Sequence, residues 1–177
     1  MSGAPSEPAD LVDDFYRPFV RALGNLVITF ALAEAALLEL VAAQLQDELD
    51  AVALLKRSDA KDRVLATVEE LGLEASLIDE IRVGVLDFWT AKEVRNRVIH
   101  DEWFPIFDVS GGVATRGFTR KKLPEEVLVE QEVSSVWDLA SRFREFENLF
   151  SHAAYVINRR VEADRQRKGA AGSCPNE

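Results

Sequence analysis

Apolar residues run almost unbroken from Leu26 to Leu45, in the stretch LVITFALAEAALLELVAAQL. Leu23, Leu26, Val27, Phe30, Ala31, Leu37, Leu38 and Val41 recur at the i, i+3, i+4, i+7 spacing of one helical face. Ile28, Leu32 and Leu40 make the opposite face apolar as well. A helix apolar all round is buried on most sides, so this segment predicts a central bundle helix or a dimer interface. It is also long enough to span a bilayer. Glu34 and Glu39 interrupt it, alanine is abundant and no cationic flank sets an orientation, which favours the buried helix. The helix is expected to begin near Asp10, bend at Pro18 and run to about Leu49.

Ser58-Asp59 is a helix start, and a short second helix is expected to reach Glu70-Leu71, where Gly72 stops it. A third begins near Ala75. Its stripe is Ile78, Ile81, Val85, Phe88 and Trp89; it continues through Arg95 and Ile99 and ends near Asp101-Glu102, ahead of Pro105. The pattern then changes. Two short runs, 104–109 and 113–118, flank Ser110-Gly111-Gly112, a hairpin signal, and Val127-Leu128-Val129 is able to add a strand. A last helix starts near Ser134 or Ser135 and buries Val136, Leu139, Phe143, Phe146, Leu149, Phe150, Ala153 and Val156-Ile157, fraying around Arg165. The expected fold is an all-α bundle of four to five helices with a small β-hairpin, about residues 103–122, before the last long helix. Residues 1–9 and 166–177 are expected to be disordered ends of a single domain spanning 10–165.

Composition narrows the function. The 177 residues are 47% hydrophobic and 29% charged, with a formal net charge of −10. Bulk attraction to a polyanion is therefore excluded, and any nucleic-acid contact needs a local basic patch. The single cysteine, Cys174, allows no internal disulfide and no thiolate metal site. It suits a reducing compartment, and the opening MSGAPSEPADLVDD has neither the positive region nor the apolar run of a secretory signal. A cytoplasmic protein with no membrane partner is expected.

Glycine-rich phosphate loops, inward Glu-x-x-His pairs and Ser-His or Cys-His spacings are absent, and two histidines with one cysteine do not make a zinc site. No metal or cofactor is expected. What remains is VRNRVIHDEW, residues 94–103. Four residues apart, Asn96 and His100 share one helix face, where an amide is able to orient an imidazole. Arg95 lies about 140° away round the helix from His100. The two converge more readily if two copies of the helix meet across a two-fold axis.

RNRVIH has the form arginine, polar residue, three residues, histidine, and near the end of a bundle helix it resembles the HEPN superfamily signature. Arg95, Asn96 and His100 match the motif itself, and residues 10–165 match the architecture. The resemblance implies metal-independent RNA cleavage by a homodimer, with Arg95, Asn96 and His100 catalytic. It further implies a toxin or defence component held inactive by a partner, often a nucleotidyltransferase-like antitoxin. An imidazole titrating near neutrality can move the 2′-hydroxyl proton, and a guanidinium can bind the phosphoryl oxygens. The inserted hairpin has no counterpart in that pattern.

Charge adds to this reading. Between Lys92 and Lys122 seven cations face four anions, a positive island on an acidic chain. Arg97, Arg116, Arg120, Lys121 and Lys122 are its candidate RNA-binding residues. Each has a plainer role: Arg97 pairing with Asp101 four residues on, the hairpin cations guarding an exposed strand edge. Trp103 and Phe104 are able to stack on a base or to pack the hairpin on the bundle. Glu34, inside an apolar stripe, calls for a partner such as Arg95 or Arg97 unless it faces water. The competing function is a non-catalytic helical dimerisation or partner-binding module; a small-molecule-binding bundle is a third.

Overall fold

The structure, a computed structural model, describes residues 16–105, 112–118 and 126–171. Its described part is mostly helical: α1 Arg17–Leu45, α2 Glu48–Leu55, α3 Ala60–Glu69, α4 Ala75–His100 and α5 Val133–Ala171. Three strands, β1 Glu102–Pro105, β2 Val113–Phe118 and β3 Glu126–Gln131, form one antiparallel sheet in the order β1-β2-β3 between α4 and α5. The all-α expectation therefore holds coarsely, and the Val127-Leu128-Val129 stretch adds a third strand to the hairpin. β1 starts at Glu102, earlier than expected, and pairs Pro105 with Val113. The Ser110-Gly111 turn, residues 1–9 and the tail from residue 172 lie outside the described residues.

The long first helix divides in two. Gln46 turns into the left-handed region (φ 55) and its side-chain amide donates to the Ala43 carbonyl, 2.6 Å. Asp47 then caps a new helix, its Oδ1 accepting from the amides of Leu49 and Asp50. An aspartate after such a break satisfies two of the orphan N–H groups at a helix start. Pro18, expected to bend the helix, instead occupies the first turn of α1, where a missing N–H costs nothing. Gly72 adopts φ +58, and its carbonyl accepts from Arg160 on α5. α5 itself continues past Arg165 to Ala171.

α1 and α5 pack along one another, and α4 closes the core. Phe88 of α4 sits in its centre, with ring centroids of Phe30, Trp89, Phe143, Phe146 and Phe150 all 5.4–6.2 Å away. Most of these pairs are edge-to-face, the arrangement ring quadrupoles prefer. Gly84 lets α4 approach α5 closely, since a Cβ there would overlap the Leu149 side chain. α1 is long and apolar enough to cross a membrane, and half of its most apolar window is buried in this fold.

Asp59, expected to cap α3, makes no cap bond. Instead it accepts from Arg57, 2.8 Å, and from Arg63, 2.7 Å. The Arg57 hydrogen bond, followed by that of Arg63, lowers its carboxyl to about 2. The folded value is below the unfolded one, about 3.9. The stabilisation is thus present above about pH 4 and lost as pH falls through about 2. A carboxyl-carbon NMR titration should place the Asp59 midpoint near 2, and Arg57→Gln with Arg63→Gln should return it toward the ordinary range.

Candidate functional site

The candidate residues lie on the last turns of α4. That helix carries Arg97 and His100 in its final turn, where basic side chains complement the helix dipole. Its apolar stripe reaches Ile81, Phe88, Ala91 and Val98, all buried. Arg95 continues that inward side, so its guanidinium lies over the Phe30 ring of α1 at 4.3 Å from the centroid. Arg95 Nη1 donates to Asn96 Oδ1, 3.1 Å, while Arg95 Nε is buried with no hydrogen-bond partner among the described residues. Lys92, one turn earlier, lies 5.5 Å from the same ring and pairs with Glu34 at 2.6 Å.

The structure brings Arg95 and Asn96 together and leaves His100 out of that contact. Asn96 is half-buried, whereas His100 and Arg97 are exposed. The Asn96 carbonyl oxygen accepts from Arg95 and keeps a second lone pair, and its amide N–H₂ is a donor, so either group is able to bond an imidazole. No hydrogen bond joins Asn96 to His100 among the described residues. The helical offset separates Arg95 from His100, the first turned to the core and the second to the rim, and Asn96 bonds to the arginine. Glu34 takes Lys92 as its partner, not Arg95 or Arg97. Lys92 and Arg95 both face α1 over Phe30, and the ammonium of Lys92 reaches the Glu34 carboxylate while the Arg95 guanidinium bonds to Asn96.

The neighbouring candidates are placed as follows. Arg97 and Asp101 form no ion pair among the described residues; the Asp101 carboxyl lies where a Cβ at Gly117 would stand. Arg116 donates to Glu102 through Nε, 3.1 Å, and Nη2, 2.5 Å, and reaches Glu126 at 3.8 Å. The hydrogen bonds to Glu102, and next its charge, raise the Arg116 guanidinium above its ordinary value. The strand register sets this pair, with Glu102 opposite Arg116, so one cation of the positive island is already neutralised across strands. Arg120, Lys121 and Lys122 lie outside the described residues. Trp103 packs: its indole N–H donates to the Val98 carbonyl, 2.8 Å, and its ring meets Phe19 edge-on at 5.1 Å.

Sequence reasoning missed Phe30 and Lys92 as members of this cluster. Phe30 was legible only as one more residue of an apolar stripe. The placement of Arg95 on the continuation of the α4 stripe was the signal that it would turn inward. Chemically, the site offers a guanidinium with a polar edge on Asn96, a second cation one turn away and an imidazole at the helix rim. No group of three or more His, Cys, Asp or Glu able to hold a metal occurs among the described residues.

Comparisons of the chain with protein-family models, curated proteins and solved structures give no match.

Proposed function

We propose that this chain is a metal-independent endoribonuclease of HEPN type, working as a cytoplasmic homodimer with a composite cleft. In this reading it is the toxin of a toxin–antitoxin or defence system, restrained by a nucleotidyltransferase-like partner. The observation that carries the proposal is the Arg95-Asn96-x3-His100 motif on the closing turns of α4, with Arg95 bonded to Asn96 and His100 open to solvent. His100 takes the 2′-hydroxyl proton of RNA, and the 2′-oxygen attacks the adjacent phosphorus. The bond from phosphorus to the 5′-oxygen breaks, and that oxygen gains a proton. Arg95 stabilises the phosphoryl oxygens as charge builds, and Asn96 holds the guanidinium edge. Arg97, Arg116, Arg120, Lys121 and Lys122 bind the RNA backbone, with Arg116 released from Glu102 on contact.

The test is RNA cleavage by purified chain in the presence of a chelator, with end-group analysis. Fragments ending in 2′,3′-cyclic phosphate and 5′-hydroxyl are expected. No cleavage of single-stranded or structured RNA, or cleavage that His100→Ala leaves unchanged, overturns the proposal.

One observation favours a second reading, a non-catalytic partner-binding module of the same fold. Arg95 stacks on Phe30 as an interior packing residue, apart from His100. In that case the motif braces α4 against α1 and contributes no chemistry.

A further inference from the structure

Apolar side chains are unusually open on one side of α1. Ile28 is 61% exposed, Val20 50%, Leu32 45% and Val27 44%. Gly24, Ala31 and Ala35 complete the same surface, all exposed. From Ala22 to Ala33 the helix holds no charged residue. A contiguous open apolar surface of this kind marks a contact site.

We propose that this face is the contact between two copies of the chain, with their α1 helices packed antiparallel. Three features point to a second copy. Arg21, Asn25, Ile28, Leu32, Ala35 and Glu39 follow a spacing of alternating four and three residues, the seam of paired helices. The seam is self-complementary when reversed: Ile28 meets Leu32, Asn25 meets Ala35 and Arg21 meets Glu39, each pair occurring twice, as a two-fold contact requires. Gly24 adds room, since a Cβ there would touch nothing within 4 Å.

The two ends of the face also carry opposite charge. Arg21 stands exposed at one end. At the other, an open cleft of about 690 Å³ between α1, α2 and α5 has an alanine floor and is lined by Glu39, Asp47, Glu48 and Tyr155. In the antiparallel arrangement the first turns of the partner's α1 seat beside this acidic cleft and bring a guanidinium to it. A lipid surface fits less well, because membrane-bound amphipathic helices flank their apolar face with cations, whereas this face has Arg21 at one end and Glu39 with the acidic cleft at the other.

The interface rests on the α1 face and stands without the nuclease reading. Phe30, on which Arg95 stacks, lies midway between Arg21 and Glu39. The paired helices therefore centre at the level of the Arg95 cluster in both copies.

Sedimentation equilibrium of the full chain tests it, with circular dichroism to verify folding. Wild type is expected to be a dimer at micromolar concentration. Leu32→Glu should weaken association by more than about tenfold, and Arg21→Glu by about 2–10-fold. The double change Arg21→Glu with Glu39→Arg should restore association to near wild type. A monomeric wild type, including one that co-floats with anionic vesicles, overturns the proposal. So does a dimer indifferent to Leu32→Glu, or a charge reversal that does not rescue. Loss of RNA cleavage with the dimer intact counts against the nuclease reading alone.

Discussion

Phe88→Ala is expected to destabilise the fold by about 3–5 kcal/mol, the range for removing a fully buried phenylalanine. Phe88 is 1% exposed and meets five other aromatic rings from α1, α4 and α5. Its neighbours are held by three different helices, so they cannot all move inward to fill the space. The lost contacts and the remaining cavity then add. Against a total stability of about 5–15 kcal/mol for a domain, that is a large fraction. Urea unfolding should show a lower midpoint at an unchanged slope. A loss under about 1.5 kcal/mol would mean that the cluster collapses onto the alanine, and that α4 is not fixed by this ring.

The second large effect concerns the motif, and it separates chemistry from packing. His100→Ala is expected to lower RNA cleavage by about 10²–10⁴-fold, the usual contribution of a general acid or base. Since His100 is exposed, stability should stay within about 0.5 kcal/mol. Arg95→Ala should lower cleavage and stability together, because it removes a cation–π contact worth about 0.5–2 kcal/mol as well as the guanidinium proposed to bind the phosphate. Arg95→Lys keeps the charge but loses the planar fork and the stack, so it should recover little cleavage. Matched cleavage assays and urea curves on the three variants read both effects. If Arg95→Ala costs stability while no variant changes cleavage, the motif is a brace between α4 and α1.

Much of the helical pattern was readable because it rests on spacing. The stripe from Ile81 to Phe88, the stop at Gly72 and the end of α4 before Pro105 each follow from a local rule, and each is found within a residue or two. The break at Gln46 was not readable in an apolar run that never changes period; the capping aspartate after it, Asp47, was the available sign. The three-stranded register was hidden for another reason. It is set by cross-strand pairs such as Glu102 with Arg116, whose partners are separated by residues without regular spacing. At the site, helical geometry alone separates Arg95 from His100, and the structure keeps that separation. What the pattern could not supply was the occupant of the space beneath Arg95, because Phe30 belongs to a different helix. The pairing of Glu34 with Lys92 was missed likewise, since two helices had to be aligned before one lysine could be chosen over the nearby arginines.

Trp103 has a further consequence. Through its bond to the Val98 carbonyl and its contact with Phe19, it fastens the first strand to the ends of two helices. The position of His100 is therefore fixed from both sides of the helix end, and the joint between helix and sheet behaves as a rivet.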